Sequence, residues 1–335
     1  MELFFSFIVP VYNRPNEIRE LLDSLLYQTY TGPFEIVIVE DGSTISSKEV
    51  VSAYESQLSI TYLEKANSGP GDSRNYGMRH AKGNYFLVLD SDCLLPPEYL
   101  DVVHTSLKAE FVDCYGGPDA AHQSFSKVQK AINYAMTSVL TTGGIRGAKK
   151  AVDKFQPRSF NMGISKKAFM ATGGYGNIHP GEDPDLTIRI WEKGFKTKLI
   201  PEAFVYHKRR IDWKKFYVQV NKFGMVRPIL NKWHPGTAKI TYWFPSFFCL
   251  GLLVSFVFAI MGSTFLLLVY GFYFGMVFID ALVKNRDLEI AILTLVAVTI
   301  QFYGYGKGFL QVTLKMNATQ KEPEDIFPNL FFKTD

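Results

Sequence analysis

Asp90 and Asp92 stand one residue apart, around Ser91, where an apolar run from Tyr85 to Leu89 ends. In an extended backbone, residues i and i+2 point to the same side. The two carboxylates therefore repel each other unless something positive sits between them. A divalent cation shared with phosphate oxygens relieves that repulsion, and hard oxygen ligands suit Mg²⁺ or Mn²⁺. Such an ion neutralises a diphosphate leaving group. A solvated acidic turn is the alternative, because short acidic pairs are common. The position at the end of a buried strand favours the metal reading.

Other charged residues fall at comparable places. Glu40 and Asp41 close the run "FEIVIV". The stretch "SGPGDSRNYGM" supplies a flexible loop, then Asp72, Arg74 and Asn75 at a helix start. A guanidinium there can pair with carboxylate or phosphate. "GEDPDLTIRIWEKG" sets Glu182, Asp183 and Asp185 at the start of a further helix. A helix N-terminus favours an ionised carboxylate, and an ionised Asp facing a cleft can act as a general base. Ordinary carboxylates are ionised at neutral pH, so a base at Asp183 needs no unusual pKa.

The elements that must position these groups alternate. "FSFIVPVYN", "FEIVIVEDGS", "SITYLEK" and "NYFLVLD" read as strands. Between them, "NEIRELLDSLLYQT" has helical spacing at Ile18, Leu21, Leu22, Leu25 and Leu26, and "KEVVSAYESQ" and the Asp72 segment read as two more helices. Apolar strands alternating with helices indicate a mostly parallel sheet covered on both faces. Ligands of such sheets bind outside the carboxyl ends of the strands, so Glu40, Asp41, Asp90 and Asp92 are expected on one rim. The helix begun by Glu182 is expected to end near Gly194.

The 335 residues allow more than one module. Hydrophobic residues make up 47% and aromatics 15%, and the excess lies late in the chain. No charged residue occurs from Ile240 to Ile279, too long a run for one membrane span of about 20 residues. Gly262 and Ser263 mark a tight connection inside it. A charged stretch, "LVKNRDLE", precedes a third apolar segment, which either spans or is partly interfacial. Lys284 and Arg286 fit a cytosolic loop. The expected organisation is a catalytic domain over residues 1–235, a membrane region of two to three hydrophobic helices over 236–315, and a short polar tail over 316–335.

The net charge of +4 is modest. The cluster "HKRRIDWKK", from His207 to Lys215, is either a solvated face or a patch for anionic headgroups. No nucleic-acid motif accompanies it. Three cysteines without CxxC spacing disfavour a disulfide framework or a zinc site and suit a cytosolic catalytic domain. The start, "MELFFSFIVPVYNRP", lacks a basic n-region and reads as a strand rather than a signal peptide.

Taken in order, "FIVPVYNRP", "VIVEDGST", "GPGDSRNYGMRHAKGNYFLVLDSD" and "GEDPDLTIRIWEKGF" resemble the family 2 glycosyltransferases over about residues 4–200. The resemblance implies the GT-A fold: an α/β, Rossmann-like, mostly parallel sheet flanked by helices, here followed by a C-terminal transmembrane helical region. The segment "FYVQVNKFGMVRPILNKWHP" is similar to a membrane-associated bacterial exopolysaccharide subgroup of the succinoglycan type. The QxxRW signature of processive synthases does not occur.

By that resemblance, Pro10, Tyr12 and Asp41 line a nucleotide pocket with Asp41 toward the base. Asp72 and Arg74 support the nucleotide and the metal carboxylates. Asp90, Ser91 and Asp92 form the metal–diphosphate motif, with Asp92 the direct ligand to Mg²⁺ or Mn²⁺. Asp183 is the catalytic base. His207 resembles a late histidine that completes the metal site; an ordinary polar residue at a strand end is the alternative. Asn161, Met162 and Gly163, with Glu182, are assigned to the donor-sugar and acceptor pocket. Gly143, Gly144, Ile145 and Arg146 either order on donor binding or form a plain connection.

The activity implied is inverting transfer from a nucleotide-diphosphate sugar, UDP favoured, to a hydroxyl of a lipid-linked oligosaccharide in bacterial polysaccharide synthesis. The inner membrane, with the catalytic domain cytoplasmic, is the expected location. Two rivals remain at this level. One is a polyprenyl-phosphate glycosyltransferase, similar to dolichol-phosphate-mannose synthases, whose product is a sugar phosphodiester. The other is a non-catalytic membrane scaffold, against which the intact Asp41, Asp90, Asp92 and Asp183 argue.

Overall fold

The computed structural model describes residues 2–120, 125–142, 155–207 and 212–332. The chain forms two compact units. One comprises residues 1–122, 149–208 and 331–335; the other comprises 123–148 and 209–330.

The first unit is built on strands β1 (Phe5–Val11), β2 (Phe34–Asp41), β3 (Ile60–Lys65), β4 (Tyr85–Leu89), β5 (Cys93–Leu94), β6 (Cys114–Gly116), β7 (Asp119–Ala120), β8 (Asn161–Ser165), β9 (Thr197–Leu199) and β10 (Val205–His207). The main sheet has the order β3-β2-β1-β4-β8-β6-β9. Strands β1 to β4 pair in parallel, as their apolar runs predict. Strand β8 then runs antiparallel to β4 and to β6, so the sheet is mixed. A smaller sheet joins β10 to β5 and β7.

Alternation sorts the strand residues into two layers. Phe5, Phe7, Val9 and Val11 share a core with Ile18, Leu21 and Leu25 of helix α1 (Pro15–Leu26). Ile8 faces the opposite core, with Met78 of a later helix and Leu186 and Ile190 of another. Each such buried side chain contributes about 1.5–3 kcal/mol relative to exposure. Pro10 lies beyond the last pair of β1 with β4, Ile8↔Val88, and opposite Val39 of β2.

Helix α2 (Lys48–Ser52) is shorter than its periodicity suggests. Just beyond it, the Tyr54 hydroxyl donates to Asp23 at 2.7 Å. Helix α3 (Pro70–His80) starts with proline in its first turn, and α4 (Tyr99–Ala109) follows the small strand β5.

The second unit is helical. Helices α5 (Lys127–Thr137) and α6 (Val139–Thr142) belong to it. So do α9 to α13, after α7 (Lys166–Thr172) and α8 (Glu182–Glu192) of the sheet unit. The later five are α9 (Trp213–Trp233), α10 (Phe244–Ile260), α11 (Phe265–Asn285), α12 (Leu288–Asn317) and α13 (Pro323–Ile326). Ile132 and Ala135 of α5 and Phe216 and Val220 of α9 share one apolar cluster with Val277, Ala297 and Phe302. Residues 125–142 and 212–235 fall in the same compact unit as the apolar helices.

Among the described residues, three segments are long and apolar enough to cross a membrane: Ile240–Ile260, Phe265–Asn285 and Leu288–Asn317. The break between the first two falls where the glycine does, with Gly262 at φ +94°. Helix α12, at about 1.5 Å per residue, is longer than a hydrocarbon core of about 30 Å. Its second half is held by protein. Gly304 and Gly308 lack side chains where Val220, Asn221 and Met225 of α9 approach, and Asn221 donates to the Gly304 carbonyl at 2.9 Å.

Candidate active site

Strands β1, β2 and β4 are parallel, so their carboxyl ends share one rim. Strand β8 begins there as well, because Asn161 pairs with Leu89 in the antiparallel register. The acidic residues collect at that rim, in two groups of different character.

The first group follows β2. Asp41 is buried, and both its oxygens are engaged. Oδ1 accepts from Lys65 Nζ and the Ser68 amide, each at 3.0 Å, and Oδ2 accepts from the Gly69 amide at 3.0 Å. Gly69 must adopt φ +93° to present that amide, a conformation open to glycine. Lys65 also lies 3.1 Å from Asp72, whose carboxylate accepts from Ser68 at 2.6 Å. Against a burial that pushes it up, Ser68 and Lys65 hold Asp72 below its ordinary range. Glu40 is turned inward and accepts from the Ser47 amide at 2.8 Å and the Tyr62 hydroxyl at 2.7 Å. It is a structural acid.

The second group follows β4. Asp90 Oδ1 accepts from Arg74 Nη2 at 2.8 Å, and Asp92 lies 3.1 Å from His207 Nε2 and 2.6 Å from Arg14 Nη1. His207 is also 3.9 Å from Asp90, and Phe160 stacks on its ring at 5.2 Å. Although burial opposes it, the His207 and Arg14 charges hold Asp92 down at about 2. Ser91 between them is buried.

Arg74 joins this group to α8. Its Nη1 lies 3.3 Å from Glu182 Oε1, and its guanidinium sits 5.3 Å from the Tyr175 ring centroid. Glu182 also receives His179 Nδ1 at 3.0 Å. Burial raises its pKa, but His179 and Arg74 outweigh that and hold Glu182 at about 2. The next residue behaves oppositely. Burial pushes Asp183 above the ordinary carboxylate range, and the Glu182 charge adds to the rise; Arg74, Arg158 and the Ser159 hydroxyl offset only part. Oδ1 of Asp183 is buried with no hydrogen-bond partner among the described residues. Desolvation and an adjacent charge outweigh the helix N-terminus.

The structure gathers Arg74, Asp90, Asp92, His207, Glu182 and Asp183 into one network, and Asp41 and Asp72 into another. It does not bring the β8 residues to an open surface. Asn161 is fully buried, accepts from the Tyr99 hydroxyl at 2.6 Å and donates to the Ala203 carbonyl at 2.7 Å. Met162 is buried with the Tyr175 hydroxyl on its sulfur at 3.2 Å, and Gly163 lies under the Tyr115 ring. Pro10 is half-buried at the end of β1, while Tyr12 is 52% exposed. The segment 143–146 and four residues of the basic cluster, 208–211, lie outside the described residues.

Sequence reasoning missed Asn13, Arg14 and His179. Asn13 has φ 55°, which asparagine tolerates better than most residues. Its Oδ1 accepts from the amides of Thr44 and Ile45 at 2.8 and 2.9 Å, tying the end of β1 to the loop after β2. The pattern "YNRP" after a strand is the signal that was available.

A divalent cation fits the second group. Ligand atoms of Asp92, Cys93 and His207 lie within 4.8 Å of one another, with Asp90 adjacent. Cys93 is a soft sulfur donor, which a hard divalent cation such as Mg²⁺ or Mn²⁺ disfavours against carboxylate oxygens. Two carboxylates and an imidazole remain, a donor set suited to Mn²⁺ or Mg²⁺.

Residues 6–171 match the family described as Glycosyl transferase family 2. An uncharacterised glycosyltransferase of Rickettsia felis is 43% identical over 103 residues, covering 31% of this chain and 16% of that protein. The poly(ribitol-phosphate) beta-N-acetylglucosaminyltransferase TarS of Staphylococcus aureus is 39% identical over 99 residues, 29% of this chain and 17% of its own length. The chain thus spans less than a fifth of these two relatives. Among solved structures, the mannosyltransferase PcManGT from Pyrobaculum calidifontis, in complex with GDP-Man and Mn²⁺, aligns with a TM-score of 0.56 at 16% identity. The alignment covers 96% of this chain and 89% of that one. TarS residues 1–349 in complex with UDP align with a TM-score of 0.50 at 19% identity, covering 95% and 93%. At these identities the structural likeness is one of fold, a GT-A-like mixed sheet with flanking helices.

Proposed function

We propose, from the premise that this chain carries a family 2 glycosyltransferase domain at residues 6–171, that the protein transfers a sugar from a nucleotide-diphosphate sugar to a hydroxyl group with inversion. One observation carries the reading. Asp183 is buried with its pKa raised by desolvation and Glu182, its Oδ1 has no hydrogen-bond partner among the described residues, and it adjoins Glu182, which Arg74 links to Asp90.

In the proposed reaction Asp183 accepts the proton of the acceptor hydroxyl. That oxygen forms its bond to the anomeric carbon from the face opposite the diphosphate. The bond from that carbon to the diphosphate oxygen breaks, and its electron pair leaves with the nucleoside diphosphate. The raised pKa makes Asp183 a stronger base than an exposed carboxylate. Arg74 holds the Asp90 and Glu182 carboxylates in place. Asp92, Asp90 and His207 would hold Mg²⁺ or Mn²⁺, which when bound neutralises charge on the departing diphosphate.

UDP is the favoured nucleotide, supported by the TarS complex with UDP, whereas PcManGT was solved with GDP-Man. Asp72, Pro10, Tyr12 and Ser91 are assigned to the nucleotide side, and Asp41, whose oxygens are taken by Lys65, Ser68 and Gly69, shapes the loop that borders it. Asn161, Met162 and Gly163 serve as the floor beneath the sugar subsite rather than as direct contacts, since their side-chain positions are buried. The three apolar helices support a lipid-linked glycan acceptor at the bacterial inner membrane, with the sheet unit cytoplasmic and a product destined for polysaccharide.

The test uses the purified protein in detergent with a panel of nucleotide sugars and Mn²⁺ or Mg²⁺, with and without membrane lipid extract. Metal-dependent release of nucleoside diphosphate from one donor, increased by lipid, is expected. Asp183→Asn should lower turnover by about a thousandfold or more while leaving donor binding nearly intact, as loss of a general base does. Equal loss of turnover and donor binding would remove Asp183 from the base role. A sugar phosphodiester product would replace the hydroxyl acceptor by a polyprenyl phosphate.

A further inference from the structure

The chain re-enters the sheet unit at its end. Phe331 makes an antiparallel bridge with Ile178, and the Phe332 amide donates to the Asn177 carbonyl at 2.9 Å. The Phe332 ring sits 5.6 Å from the His179 ring and covers the α-carbon of Gly69, where a β-carbon would collide with it. Both contacts lead to the site. His179 is bonded to Glu182, which pairs with Arg74 and precedes Asp183. The Gly69 amide is bonded to Asp41. Ile178 and Leu330, on either side of this junction, are almost fully buried.

We infer that Phe331 and Phe332 form a clasp that positions loop 177–182, and through it the Glu182–Asp183 pair, for the reaction. Phe332 is a positioning residue and touches no substrate. Its ring fixes the His179 ring, and His179 fixes the Glu182 carboxylate. The backbone pairing to residues 177 and 178 sets the path by which the loop enters α8. The sequence gives no warning of this, since "NLFFKTD" reads as a terminal polar tail with two stray aromatics.

The inference rests on Asp183 as the base, and the experiment separates the two. Backbone hydrogen exchange is followed on the full chain in detergent for wild type, Phe332→Ala and Phe332→Tyr. Turnover is measured alongside with the donor selected by the panel. In Phe332→Ala, exchange over residues 177–183 should rise while the β-sheet core stays protected. Its kcat should fall about tenfold to a hundredfold, since an ångström of misplacement costs on the order of a hundredfold. The KM for donor should change less than kcat. Phe332→Tyr keeps the ring and should restore both readouts. Unchanged exchange over 177–183 in Phe332→Ala would overturn the clasp whatever the reaction proves to be. So would a kcat loss that tyrosine fails to restore, or one matched by faster exchange throughout the sheet. Full turnover in Asp183→Asn would instead refute the base, leaving the exchange result to stand on its own.

Discussion

The two acidic groups of the rim have similar composition and opposite character. Around Asp41 the carboxylate oxygens are spent on the protein itself, with two backbone amides and a lysine on one side chain. Around Asp90, Asp92 and Asp183 the charges are held by side chains, and one buried oxygen of Asp183 has no partner among the described residues. A carboxylate saturated by backbone amides shapes a loop. Asp90, held by Arg74 at Oδ1, keeps its other oxygen for a ligand. The comparison separates scaffold acids from reactive acids where residue type alone cannot.

The contrast can be broken by substitution. The largest effect is expected in the second group. Asp92→Asn should weaken Mn²⁺ binding by about a hundredfold or more, given that even outer-shell changes cost about 10–100-fold. Calorimetric titration of Mn²⁺ into the protein with UDP present checks it, and unchanged affinity would move the metal elsewhere. In the first group the loss should appear in folding. Asp41→Asn should destabilise the sheet unit by about 1.5–3 kcal/mol, the scale of hydrogen bonds to a charged group. Denaturant unfolding that shows no change would mean Asp41 is not the scaffold acid its partners suggest.

A smaller effect sharpens the assignment of Asp183. Its pKa is raised, so activity should be lost as pH falls through a value above the ordinary carboxylate range. Glu182→Gln removes one cause of that rise. The acid limb of kcat/KM should then move to lower pH, and a shift upward would contradict the electrostatics described here.

Much of the fold was legible. Apolar runs at strand length, separated by helical spacing, predicted β1 to β4 and their parallel order, because burial on both faces leaves no polar alternation. The carboxyl-end placement of Asp41, Asp90 and Asp92 followed from that order. The charge-free run and Gly262 likewise marked the break between α10 and α11. Less was legible where contacts are distant in sequence. Helices α5 and α9 share a core with α11 and α12 through Phe216, Val220 and Phe302, and no local pattern in "YAMTSV" or "FYVQV" announces that. The antiparallel entry of β8, which puts Asn161 inside the sheet edge, was equally hidden.

Residue types and their spacing along the chain were enough to specify the strands, the rim and the set of acids on it, since these depend on periodicity and short-range geometry. Which acid is saturated, which is held by Arg14 or His207, and which is raised in pKa depended on partners up to 115 residues away in sequence, as between Asp92 and His207. Desolvation and charge proximity act through space. Only the folded chain brings His207 to Asp92, Arg74 to Glu182 and Phe332 to His179, and those approaches decide what each carboxylate can do.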